Sequence, residues 1–396
     1  MLNKGPYLNK LFFPLTVMLV FLGISSTLSY KIGAYLQDLL MYKGVNLASI
    51  QTWSYIGSSL LFLGFLLSLK DISFRKIFRI SLILVAVLLT LSLYVFPDTQ
   101  LSYFFATLIC PKLLIVLGWA YINQLTYQVE GSSYYFALGC AASLVLGALA
   151  FMPPLFNATS PSYPEGLFFA ALASLGAVLL LDRWMFRKLP ERGEFLVTKI
   201  SLPQRWSSIV CLSFLLAGLP LLVHLNAPSF RTELEPLAQT SSDYVSFVGR
   251  HSMAVGVGSL LFLFVSLFLG PKLLRSQGWK VTTLLSPILA ALTIIALFIS
   301  QDPSVHSFSQ VMFKGLDYAW VIPLVQIAFL SYSQKDRFLM QGLSFLVISP
   351  LFEWLGNLVF LRSFPALVIS LIVIVLMIVS IVRLAKNNRA LEEPVG

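Results

Sequence analysis

Twelve apolar runs alternate with short polar segments along the 396-residue chain. A helix needs roughly 20 predominantly apolar residues to cross about 30 Å of hydrocarbon. The runs fall at Leu11–Ser29, Ile50–Leu69, Ile77–Phe96, Leu101–Ile122, Ser133–Leu155 and Leu167–Leu181, then at Ser207–Leu225, Ser252–Gly270, Val281–Ile299, Val305–Ser331, Phe338–Leu361 and Phe364–Leu384. Lipid offers no partner for a free backbone amide, so each run must be a helix. The alternating ten-residue pattern of a membrane barrel is absent. The expectation is an all-α integral membrane protein of about 12 transmembrane helices.

Lys and Arg set the orientation. With a cytoplasmic N-terminus, 20 of the 27 basic residues fall on the cytoplasmic side and five on the other. That bias is the positive-inside pattern. It predicts cytoplasmic N- and C-termini and accounts for most of the net charge of +10, so the charge gives no reason to expect nucleic acid as a partner. The first apolar run is expected to stay as a span, because removing it as a leader would break the alternation.

Asp182–Trp206 is the longest polar stretch and is basic. It predicts a division into a six-helix bundle (1–181), a cytoplasmic loop (182–206), a second six-helix bundle (207–384) and a tail (385–396). A 6+6 plan with a basic central loop is the outline of the major-facilitator-like bundle, in which two halves rock about a midplane site. By analogy, spans 1, 4, 7 and 10 line the cavity. In span 5, Gly139, Ser143 and Gly147 recur every four residues, a spacing that lets helices approach closely.

Composition agrees with the hydropathy pattern. Hydrophobic residues make up 58% of the chain and charged residues 11%, with mean hydropathy +0.85. Both a soluble domain and a disordered chain are excluded. Cys110, Cys140 and Cys211 lie inside apolar runs, and His224, His251 and His306 share no cluster, so neither a metal nor another cofactor is expected. No nucleophile elbow, phosphate loop or zinc helix is present, so no enzymatic activity is expected.

The remaining two basic residues, Lys112 and Lys314, fall near the middle of spans 4 and 10. A Lys at the bilayer centre costs roughly 2.5–3.5 kcal/mol on insertion scales. Two ammonium groups facing one cavity would make an anion site. The alternative is internal pairing, for instance Lys314 with Asp317 one turn on. Glu353 in span 11 could pair with a lysine or carry a proton. Tyr318 and Trp53 are the aromatic candidates to stack on a flat ligand, with helix packing as the alternative.

The segment VLGWAYINQLTYQVEGSSYYFALGCAAS resembles the ATP/ADP translocase family, the nucleotide transporters of obligate intracellular bacteria and plastids. Trp119, Asn123, Gln124, Thr126, Glu130, Tyr135, Gly139 and Ala142 carry the likeness. Lys314, Gly315, Tyr318, Pro323 and Ala328 fall at the family's spacing in VMFKGLDYAWVIPLVQIAFL. Weaker matches cover KLFFPL and the segment around Trp53. The chain departs from the family where Gln51 replaces a Lys, Thr107 an acidic residue, and Val325–Gln326 a Lys-Glu pair.

The resemblance implies a shortened, divergent nucleotide transporter of a bacterial inner membrane, exchanging ATP for ADP or moving another nucleotide or phosphorylated anion. In that reading Lys112 and Lys314 hold the phosphates, Asp317 tunes Lys314, Tyr318 and Trp53 meet the base, Gln51 stands at a family charge position, and Asn123 and Gln124 close the cytoplasmic end. Two alternatives remain open: a proton-coupled or uniporting carrier of another solute using Glu353, and a family member that no longer transports.

Overall fold

The computed structural model describes residues 6–42, 47–69, 72–97, 99–126, 134–140, 163–188, 206–234, 241–300, 303–360, 366–388 and 391. These residues are nearly all helical. In chain order the helices are α1 (Pro6–Tyr42), α2 (Leu47–Ser68), α3 (Phe74–Val95), α4 (Gln100–Leu125), α5 (134–140), α6 (Tyr163–Lys188) and α7 (Trp206–Leu234). The run Ser241–Ile299 breaks at Gly278, which gives α8 (241–277) and α9 (279–299). After it come α10 (303–330), α11 (334–360) and α12 (Ala366–Asn387).

Nine stretches among the described residues are long and apolar enough to cross a bilayer. They account for ten of the twelve expected spans. Phe264–Ile299 covers parts of two spans and divides at Gly278, Ser54–Ser68 is a shorter apolar helix, and α5 is the described part of span 5. Gly278 has φ 76°, a left-handed conformation that side chains with a Cβ avoid, and it ends one span and starts the next.

The chain forms two compact units. The first comprises Met1–Gly131, Asn157–Pro203 and Tyr332–Leu351; the second comprises Ser132–Phe156, Gln204–Ser331 and Phe352–Gly396. Within the first, α1 packs against α4 and α6 through small polar side chains. Ser25 Oγ donates to the Ala171 carbonyl at 3.2 Å and Ser29 Oγ to the Ala106 carbonyl at 3.0 Å. Helix α3 shows how composition becomes packing. Phe74, Ile77, Phe78, Ser81, Leu82, Val85 and Leu89 form a buried stripe at helical spacing, while Ile80, Ile83 and Val87 are exposed. A helix apolar on both faces suits lipid on its outer side.

Within the second unit, two tryptophans tie α9 to α10. Trp279 Nε1 donates to the Leu324 carbonyl at 2.7 Å, and Trp320 Nε1 to the Thr282 carbonyl at 3.0 Å. A buried indole N–H left without an acceptor would cost about 1–3 kcal/mol. Gly139 on α5 permits another close approach, since a Cβ there would collide with the Pro323 ring of α10. Ser143 and Gly147 of the same motif lie outside the described residues.

Candidate functional site

Four π turns occur among the described residues, at Leu91–Val95, Phe105–Ile109, Asp317–Val321 and Leu343–Ile348. Each is followed two residues later by a proline: Pro97, Pro111, Pro323 and Pro350. The cause is local. Proline has no N–H to donate and its ring crowds the carbonyl four residues back, so the preceding turn widens. Two of these turns flank the intramembrane lysines. In α4 the turn ends three residues before Lys112, and in α10 it begins three residues after Lys314.

The α4 turn shows how the backbone is repaired. Cys110 N–H donates to the Phe105 carbonyl, in π register. The next donor in that register would be residue 111, which is proline. The Ala106 carbonyl is thus left over, and Ser29 Oγ fills the vacancy. Side-chain hydroxyls commonly satisfy freed carbonyls in membrane helices.

In the first unit, Lys112 is half-buried, with its Nζ 5.4 Å from the ring centroid of Tyr55 on α2. This is a cation–π distance. Asn123 and Gln124 are buried at the end of α4. Asn123 Nδ2 donates to Gln341 Oε1 at 3.3 Å. Gln51 and Trp53 lie on α2, and their side chains are outside the described set.

In the second unit, Lys314 is exposed, although its span, Phe308–Leu330, is 89% buried. It forms no ion pair among the described residues. The possible bond to Asp317 is not made. Asp317 is buried, its Oδ1 has no hydrogen-bond partner, and the charge acting on it is that of Glu353, also buried. Tyr318 is half-buried. Among the described residues no cluster of His, Cys, Asp or Glu could hold a metal.

Sequence reasoning missed two buried polar centres in the first unit. The first is Asp182, fully buried at the end of α6. Its Oδ2 accepts from Arg79 Nε at 2.8 Å and lies 2.7 Å from Arg79 Nη2, while Tyr121 OH donates to Oδ1 at 2.9 Å. The second is Arg337, in the first turn of α11. It is 6% exposed, and its Nη1 donates to the carbonyls of Asn123 (2.8 Å) and Thr126 (3.1 Å). Its position in the polar run SQKDR, directly before span 11, was the available signal.

Solved structures that share this fold include membrane transporters. A bacterial homologue of the iron transporter ferroportin, in an outward-facing state, superposes with TM-score 0.68 at 14% identity, covering 94% of this chain and 98% of that one. The human organic anion transporter MFSD10 gives 0.62 at 13% identity, covering 96% and 100%. The Escherichia coli fucose:proton symporter gives 0.58 at 13%, covering 94% and 98%. The fold is therefore the major-facilitator-like helical bundle of integral membrane transporters.

Residues 196–337 match the model of the TLC ATP/ADP transporter family. ADP,ATP carrier protein 1 of Rickettsia bellii is 24% identical over 208 residues, which is 47% of this chain and 41% of the carrier. ADP,ATP carrier protein 1 of Chlamydia pneumoniae is 23% identical over 224 residues, 50% of this chain and 43% of the carrier. The match thus spans less than half the length of these relatives. Over these stretches the chain is similar to the TLC ATP/ADP transporters, and the segment around Lys314 lies inside the family match.

Proposed function

We propose that the chain is a nucleotide transporter of the ATP/ADP-exchange type that works by alternating access, with Lys112 and Lys314 as intramembrane ligands of the substrate's phosphates. The carrying observation is Lys314. It lies inside the matched family segment, is solvent-exposed on a largely buried span and forms no ion pair among the described residues. A charge retained there at a cost of roughly 2.5–3.5 kcal/mol calls for a compensating partner. A substrate phosphate would supply it through charge-assisted hydrogen bonds. On this reading Tyr318 and Trp53 contact the base, and Asn123 and Gln124 belong to the cytoplasmic closure. The membrane is the bacterial inner membrane, with both termini in the cytoplasm.

The test is uptake of labelled ATP into ADP-loaded proteoliposomes. Removing a charged hydrogen bond costs about 1.5–3 kcal/mol. Lys112→Ala and Lys314→Ala should each raise KM by roughly 10- to 100-fold, and the double variant should abolish exchange. Full exchange by the double variant refutes the assignment. A second reading, a carrier coupled to protons, is favoured by the neighbouring Asp317 and Glu353 carboxyls. It predicts uptake driven by a pH gradient and lost in Glu353→Gln.

A further inference from the structure

Helices α3 and α6 of the first unit run antiparallel. Arg79 meets Asp182 at one end, and Tyr94 meets Phe168 at the other, with ring centroids 5.2 Å apart. Between these contacts the surface is grooved. A cavity of about 1070 Å³ opens between Arg75, Arg79 and Arg183 at its polar end and Gly176 and Leu180 further along. A second cavity, of about 400 Å³, continues it between Ile83, Val87 and Gly176. The two share Gly176 and Leu179, so they form one groove. A Cβ on Gly176 would meet nothing within 4 Å, which leaves the groove open at its middle.

The two ends differ in chemistry. Asp182 accepts from Arg79 and Tyr121 and lies 3.8 Å from Arg75. Arg183, exposed, lines the same end of the cavity, so three guanidinium-bearing side chains border it. Beyond the arginines the exposed wall is apolar: Leu180 is 70% exposed, Ile83 57% and Val87 47%. From Arg79 to Leu91 the groove follows twelve residues of helix, about 18 Å at 1.5 Å per residue. That is close to the roughly 15 Å of one leaflet's hydrocarbon.

We propose that this groove binds an anionic glycerophospholipid, with its phosphate between Arg75, Arg79 and Arg183 and an acyl chain lying along Gly176 between α3 and α6. A soluble anion would use the arginines and leave the apolar length empty, and an apolar peptide would leave the arginine-lined end unused. A phospholipid satisfies both ends. Basic pockets between membrane helices on the cytoplasmic side recognise such headgroups, and the Lys and Arg bias places this arginine end there. The site is separate from Lys112 and Lys314 and does not depend on what the protein transports.

The experiment uses the purified full chain in neutral detergent, with bound lipid counted by native mass spectrometry and affinity read from titration. The probes are dioleoyl phosphatidylglycerol, dioleoyl phosphatidylcholine and inorganic phosphate. Phosphatidylglycerol should bind at least about tenfold more tightly than phosphatidylcholine. Arg75→Gln combined with Arg183→Gln should weaken it roughly thirtyfold, at about fivefold per basic residue. Arg79 is left in place because it holds Asp182. Gly176→Leu fills the groove, keeps every charge and should also weaken binding. If the arginine variant does not purify as a folded protein, Gly176→Leu carries the test alone. Equal affinity for the two lipids, unchanged binding by Gly176→Leu, or full competition by inorganic phosphate would overturn the proposal.

Discussion

Lys314 and Asp317 stand one helical turn apart on α10 and do not pair. The π turn begins at Asp317 and changes the angular step of the residues that follow it. Lys314 is exposed, while Asp317 and Glu353 are both buried, and Glu353 is the charged side chain that bears on Asp317. Two buried carboxyls in one place are coupled, because removing either relieves the other. We therefore expect Asp317→Asn and Glu353→Gln each to raise thermal stability, and the double variant to gain less than the sum. A double-mutant cycle on the unfolding temperature should yield a coupling of about 0.5–3 kcal/mol. Strict additivity would show that the pair does not interact.

Ser29 offers a test of backbone repair. Its hydroxyl is the donor for the Ala106 carbonyl that Pro111 leaves without an amide. Ser29→Ala buries that carbonyl unsatisfied, which costs about 1–3 kcal/mol. Adding Pro111→Ala restores the missing amide and should recover most of the loss. Thermal unfolding of the two single variants and the double variant decides it. An equal loss in Ser29→Ala and in the double variant would remove proline from the explanation.

The spans were legible because hydropathy depends on chemistry that is local in the chain. The break at Gly278 falls inside GPKLLRSQGWK, the polar stretch expected between spans 8 and 9. The two lysines were legible because a charge inside an apolar run needs no partner to be noticed. Their matching π turns precede Pro111 and Pro323, but Pro14, Pro271 and Pro287 sit inside helices without such a turn, so proline alone did not mark them. The buried polar centres were not legible for the opposite reason. Asp182 takes partners 103 and 61 residues away, and Arg337 takes carbonyls 214 and 211 residues away. At a span end, a charge bound for the interior looks the same in sequence as one bound for water. Which one it is depends on a helix elsewhere in the chain.

Asp182 should be among the most sensitive positions in the first unit. It is fully buried and holds Arg79 and Tyr121. Asp182→Ala leaves the Tyr121 hydroxyl without its acceptor, which costs about 1–3 kcal/mol, and thermal unfolding should show that loss. Arg79 is 40% exposed and can hydrate, so Asp182→Asn releases the arginine, whereas Arg79→Gln leaves the buried carboxylate only the Tyr121 hydroxyl and Arg75, 3.8 Å away. Arg79→Gln is therefore expected to be the more damaging of those two, and the double variant Arg79→Gln with Asp182→Asn milder than Arg79→Gln alone. If Asp182→Asn proves worse than Arg79→Gln, the carboxylate is not the costly member.

Arg337 separates shape from charge. Helix α4 ends at Leu125, where the last carbonyls lack amide donors and the helix dipole is negative. One planar guanidinium answers both needs: Nη1 reaches Asn123 and Thr126, and Nε donates to Tyr332 at 2.8 Å. A lysine would keep the positive charge at the helix end but has no rigid fork to span three carbonyls. If the dipole dominates, Arg337→Lys should be nearly silent and Arg337→Gln harmful. If the hydrogen bonds dominate, both should be harmful to a similar degree. The dipole is worth about 0.3–1 kcal/mol at a helix end, whereas each hydrogen bond from a charged donor is worth about 1.5–3 kcal/mol. The second outcome is therefore expected. Amide hydrogen exchange in the last turn of α4, through Thr126, should rise by at least tenfold in both variants. Protection retained in Arg337→Lys would show that charge alone holds the helix end.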